Sequence, residues 1–184
     1  MLSLEEKYLF LLGGTMHNYT ELFDIVNDSD QVIGYATRQQ AHKYCLYHRS
    51  VHILVFNTKK QLFLQKRALT KDTAAGLWDT SAAGHVDKGE VYDIAAQREL
   101  CEELGLCNQP LTPLFKLSAS PYTGYEFTWV YKLETDQELV LNTTEIETGA
   151  WFTPDEINSW LNLTPETLTP SIRFIWQKYQ QCYC

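Results

Sequence analysis

The sequence predicts an α/β sandwich built on a mixed β-sheet. Short apolar runs of strand length recur along the chain, bounded by turn-forming residues. One long segment, Glu90–Leu104, has helical periodicity, and two shorter helical segments close the chain. Strands and helices are therefore interleaved along the chain.

Composition narrows the functional classes. A chain of 184 residues is long enough for one domain with a substantial core. A hydrophobic content of 45% and an aromatic content of 13% exclude a disordered chain. The formal net charge of -8 argues against nucleic-acid binding, which draws on clustered Lys and Arg. An anionic substrate must then meet local cations. The cysteines, Cys45, Cys101, Cys107, Cys182 and Cys184, are odd in number and lack zinc spacing. A reducing, cytoplasmic setting is expected. The opening MLSLEEKYLFLLGG carries acids where a secretory signal needs positive charge, and its apolar run is too short to span a membrane. No membrane association is expected. Residues 1–20 are assigned to an N-terminal extension, its first fifteen residues dispensable, and residues 21–184 to a single domain.

Taken in order, Glu21–Val26 and Gln31–Thr37 flank Asn27-Asp28-Ser29-Asp30, predicting an N-terminal β-hairpin. Arg38–Tyr44 is assigned to a short helix. Val51–Phe56 is apolar enough for a buried central strand, and Gln61–Gln65 pairs with it around Asn57–Lys60. Leu69–Gly76 forms a polar loop. Leu114–Ser118 and Glu126–Leu133 are strands separated by the Pro121–Gly124 turn, and Ala150–Phe152 ends another. Pro154 starts a helix over Asp155–Leu161, and Pro170 precedes a packing helix with Ile172, Ile175, Trp176 and Tyr179 at helical spacing. Trp78 and Trp151 are expected in the core.

Chemistry concentrates in Gly84–Leu106, GHVDKGEVYDIAAQRELCEELGL. On a helix of about 3.6 residues per turn, Glu99, Glu102 and Glu103 stand at i, i+3 and i+4 and share a face. Ile94, Leu100, Cys101 and Leu104 fall on the opposite, core-facing side, Cys101 as a small apolar filler. Gly105 supplies a left-handed terminator. Like charges so spaced repel, and a hard divalent cation with oxygen ligands, Mg²⁺ or Mn²⁺, relieves that repulsion. A solvated acidic face is the bland alternative.

The same string resembles the Nudix box, G-x5-E-x7-R-E-U-x-E-E-x-G-U with U a bulky apolar residue, and every specified position is filled. The resemblance implies a Nudix-type α/β/α sandwich behind the N-terminal hairpin, and metal-dependent hydrolysis of a diphosphate. By position, it assigns Gly84, Glu99, Glu102 and Glu103 to the metal. It gives Glu102 or Glu103 the part of general base and Arg98 the part of orienting the acids, paired with Glu90 or a ligand.

FDIVNDSDQVIGYATRQQAH, HRSVHILVF and LQKRALTKDTAAGLWDTSAAGH resemble the Nudix branch that contains isopentenyl-diphosphate isomerases. That branch implies diphosphate binding by Arg67 and Lys71, a guanidinium fork and an ammonium suited to phosphate oxygens. Three departures oppose isomerase activity. The residue before Gly84-His85 is Ala83 where isomerases carry their catalytic cysteine, the acid expected two residues before Glu126 is Gly124, and the box is intact. His42, His48 and His52 keep a trace of the isomerase metal cluster. His48 matches a ligand position, but the earlier histidine falls at Ala41, and a histidine near a strand is more often structural. His85 is expected to line the site without ligating.

The expected reaction is substitution at phosphorus by water, on a small-molecule diphosphate such as a nucleoside diphosphate derivative. Glu145 and Glu147, ahead of Trp151, are further candidates for the base. The alternatives are an isomerase-like activity and a non-catalytic nucleotide-sensing module. The hairpin offers an edge for a homodimer.

Overall fold

A computed structural model describes residues 21–183; the expected extension over residues 1–20 lies outside them. The hairpin forms as expected from β1 (Leu22–Val26) and β2 (Val32–Thr37). Asn27 Oδ1 accepts from the backbone N–H groups of Ser29 and Gln31, both at 3.0 Å, which closes the turn. Helix α1 (Arg38–Lys43) follows directly, started by a reciprocal Thr37–Gln40 capping box.

The main sheet has seven strands: β3 (His48–Phe56), β4 (Leu62–Arg67), β5 (Trp78–Asp79), β6 (Ala82–His85), β7 (Thr112–Leu117), β8 (Glu126–Glu134) and β9 (Ile146–Phe152). Its spine runs β5-β4-β3-β8-β7, with β9 on β4 and β6 on β3. The β3–β8 pairing is parallel and the others antiparallel, so the sheet is mixed. Strand β3 is the fork. Its first half pairs with β6, and Phe56 at its end pairs with Leu62 of β4.

Alternation along β3 divides the core. Val51, Ile53 and Val55 pack with Ala95, Ala96, Leu100 and Leu104 of α2 (Tyr92–Leu104). Leu54 and Phe56 pack on the other side with Ile157 of α3 (Pro154–Leu163) and Ile172, Ile175 and Trp176 of α4 (Pro170–Tyr183). The result is an α/β/α sandwich with a mixed sheet. Trp78 and Trp151 are partly buried, one against each cluster. Helix α3 opens on Pro154 and a Thr153–Glu156 capping box. Among the described residues no helix is long and apolar enough to cross a membrane.

Local expectations need correcting at three points. Helix α2 begins at Tyr92, which leaves Glu90 in the preceding turn. Ile94, assigned to the core stripe, is 58% exposed, and Ala95 and Ala96 take the buried positions. Cys101, assigned as a small apolar filler, is joined to Cys107 by a disulfide across the helix end.

Candidate active site

The turn Asp87–Glu90 delivers Glu90 to the side of α2, where its carboxylate accepts from the Asp87 N–H at 3.0 Å and from Arg98 Nε at 3.1 Å. Arg98 projects from α2 and gathers acids around itself. Its guanidinium also reaches Glu90 Oε2 at 2.9 Å, Glu99 Oε1 at 2.6 Å and Glu102 Oε2 at 3.4 Å, and it donates to the His85 carbonyl at 2.9 Å. The acidic surroundings push the Arg98 pKa upward despite burial, so it stays cationic. Gly105 ends the helix at φ 70°, its N–H bonded to the Cys101 carbonyl at 3.0 Å.

The three glutamates of α2 have different surroundings. Glu103 is buried, and its Oε2 accepts from Gln65 Nε2 at 2.8 Å and from the Ala83 N–H at 3.1 Å. Glu99 is largely buried and lies against Gly84 so closely that a Cβ built there would overlap its carboxylate. Glu102 is the outermost, its side chain 57% exposed. Burial, reinforced by the charge of Glu99, raises Glu103 to about 8. Burial raises Glu99 to about 7, outweighing the opposing pull of Arg98. Glu21, at the foot of the hairpin, adds its charge to the field at Glu99. Sequence reasoning passed over Glu21, because only the folded hairpin brings it to the site.

These groups fit a hard divalent cation. The donors are all oxygen, the ligand type such a cation takes, and two of them are carboxylates whose ionisation burial opposes. Glu99 lies against Gly84 and Glu103 against the Ala83 N–H, while Glu102 is tied to Glu99 only through Arg98.

Arg67 and Lys71 are already engaged. Arg67 Nε donates to the Thr73 carbonyl at 3.2 Å and its Nη1 lies 3.7 Å from Asp79 Oδ2. Lys71 pairs with Glu145, and Lys66 with Glu147 at 3.0 Å.

A second cluster forms at the end of β6, around His85. Ligand atoms of His42, His48, His85 and Glu126 all fall within 4.8 Å of one another. Register explains it: His48 stands opposite Glu126 in the parallel β3–β8 ladder. Phe23 stacks on His48 and His85 at centroid distances of 5.3 Å and 4.5 Å, so the hairpin forms a wall of the cluster. His85 Nε2 lies 3.3 Å from Glu126 Oε1, and His48 Nε2 lies 3.6 Å away, just beyond hydrogen-bond reach. The buried Nε2 atoms of His42 and His48 have no hydrogen-bond partner. Burial lowers His85 to about 4. Burial opposes ionisation of Glu126, but interactions with His48 and His85 prevail and hold its carboxyl well below the usual range.

Imidazoles plus one carboxylate form a donor set suited to a transition metal. One contact opposes that use: Arg38 Nη1 sits 3.1 Å from His85 Nδ1. His85, expected only to line the site, belongs to the cluster. His52 does not, and its Nδ1 bonds Thr80 Oγ1 at 2.6 Å.

The NUDIX domain model matches residues 46–172. The chain belongs to the Nudix family. The matched span begins after the hairpin and takes in the box helix, α3 and both clusters except Glu21 and His42. A protein named isopentenyl-diphosphate Delta-isomerase 2, from Photorhabdus laumondii subsp. laumondii, is 34% identical over 158 residues, covering 81% of this chain and 86% of its own. The uncharacterized Nudix hydrolase YfcD of Escherichia coli is 31% identical over 150 residues, covering 81% and 83%. The crystal structure of DR0079 from Deinococcus radiodurans superposes with a TM-score of 0.78 at 27% identity, over 89% of this chain and 100% of that one. Nudix hydrolases and an isomerase thus stand among its relatives.

Proposed function

We propose that this Nudix protein hydrolyses the diphosphate linkage of a small molecule, a nucleoside diphosphate derivative by preference, with Mg²⁺ or Mn²⁺ as cofactor. The observation that carries the reading is the buried pair Glu99 and Glu103 beside a bare Gly84 backbone, with Arg98 spanning Glu90, Glu99 and Glu102. Gly84, Glu99, Glu102 and Glu103 would hold the ion, which supplies charge neutralisation at the diphosphate and acidifies water.

The chain's own groups do the rest. Arg98 fixes the orientation of Glu99 and Glu102. Gln65 and the Ala83 N–H hold Glu103 Oε2 in one direction. Lys71 presents an ammonium to phosphate oxygens, while Arg67 holds the 69–76 loop through Thr73. Glu103, with a pKa near working pH, is the favoured general base, ahead of Glu102, Glu145 and Glu147. Most of the acceleration in such a reaction comes from positioning and electrostatics.

The His42–His48–His85–Glu126 cluster favours a second reading, an isomerase-like activity of the kind named for the Photorhabdus relative. Against it, the place of the catalytic cysteine is Ala83, whose backbone N–H serves Glu103. A panel of diphosphate compounds with Mg²⁺ or Mn²⁺, products resolved by mass, separates the readings. Phosphate-containing fragments support hydrolysis, isopentenyl-to-dimethylallyl conversion supports isomerisation, and binding without turnover supports a sensing module.

A further inference from the structure

Lys71 and Glu145 join two segments that the fold already holds together by other means. The Glu145 carbonyl accepts from the Ala68 N–H at 2.9 Å, and the Glu145 N–H donates to the Asn142 carbonyl at 3.0 Å. Asn142 in turn donates its N–H to the Glu103 carbonyl at 2.9 Å, docking this turn on the box helix. Lys66–Glu147 and the β4–β9 ladder join the same segments independently. The backbone of Glu145 is therefore fixed beside the site whether or not its side chain is paired.

Both side chains remain reachable, at 21% exposure for Lys71 and 35% for Glu145. Pairing with Glu145 holds the Lys71 ammonium at the turn that Asn142 docks on the end of the box helix. A partly exposed Lys–Glu pair contributes little net free energy. A phosphate carries more charge than one carboxylate and offers more acceptor oxygens to an ammonium.

We propose that Lys71 and Glu145 are an exchange pair: a substrate phosphate takes Lys71 from Glu145, leaving a free carboxylate on a backbone that is docked on the box helix through Asn142. The pair deepens the hydrolase reading and rests on it for the class of ligand. It makes Glu145 a competitor for the phosphate-binding ammonium until substrate arrives. Glu145 thereby acts on binding through Lys71, whatever its further part in catalysis.

The test is calorimetric titration of the full chain with inorganic pyrophosphate in the presence of Mg²⁺. Glu145→Gln removes the competing charge and is expected to tighten binding roughly two- to five-fold, the measured worth of such a pair converted to affinity. Lys71→Met weakens binding, and the double variant matches Lys71→Met, because Glu145 acts only through Lys71. Glu145→Ala serves as a second form should the glutamine variant fold poorly. Unchanged or weaker binding by both Glu145 variants overturns the exchange. So does tightening that survives in the Lys71→Met background, or no binding by any form. Pyrophosphate binding that follows this pattern without turnover on the diphosphate panel sinks the hydrolase reading alone. Turnover with unchanged binding in Glu145→Gln sinks the exchange alone.

Discussion

The Glu99 carboxylate occupies the space that a side chain at Gly84 would fill. Gly84 has no left-handed φ, so an alanine there meets no backbone penalty and acts purely by displacing Glu99. Gly84→Ala is expected to lower Mg²⁺ affinity by about 10–100-fold, the scale seen when support around a metal site is lost. Calorimetric Mg²⁺ titration checks this. A variant that binds Mg²⁺ like the parent removes Glu99 from the cation site.

Glu103 predicts alkaline destabilisation of the metal-free protein. Its pKa is raised from 4.5 to about 8 on folding, so the stability it confers is complete below about pH 4.5 and is lost as pH climbs through about 8. Glu99, raised to about 7, acts in the same sense. Thermal melts in EDTA should fall from about pH 6 to pH 9. Glu103→Gln should flatten that slope, and Mg²⁺ should reverse it by binding the ionised form.

On the acid side the histidine cluster sets the trend. His85 is lowered from 6.5 to about 4, so the unfolded chain takes up the proton first and stability falls as pH drops below about 6.5. Glu126, held low, adds stability that is present above its ordinary pKa and lost on further acidification. Glu126→Gln should make the melting temperature less sensitive to pH below about 5. An unaltered acid limb in that variant would rule Glu126 out as its source.

Arg98→Lys tests the bridge over the acids. A lysine keeps the charge but lacks the planar fork that reaches Glu90, Glu99, Glu102 and the His85 carbonyl together. Activity at fixed Mg²⁺ should drop by roughly 10–100-fold, recovering in part as Mg²⁺ is raised, because the acids are mispositioned and not removed. A full activity profile at low Mg²⁺ would show that orientation by Arg98 is dispensable.

The box helix was legible because its carboxylates, arginine and terminal glycine are local, and 3.6-residue periodicity places them without knowledge of the sheet. Ile94 was misplaced because it stands six residues from Leu100, about a third of a turn off the Leu100–Leu104 stripe. Ala95 and Ala96 join Leu100 and Leu104 in the stripe that packs on β3, and Ile94 lies outside it. The histidine cluster was half legible. His48 and Glu126 meet only through a parallel ladder between strands far apart in sequence, and His85 joins them through the β3–β6 pairing. Periodicity carries no information about such register. The Lys71–Glu145 pair was hidden for the same reason, since both residues lie in loops with no pattern to align them.

The fork at β3 has a consequence for how the chain can go wrong. Slipping β3 by a single residue against β8 would turn Val51, Ile53 and Val55 away from α2 and separate His48 from Glu126. A mispaired molecule thus forfeits its packing and its polar cluster in one error. One register sets both the packing against the box helix and the meeting of His48 with Glu126.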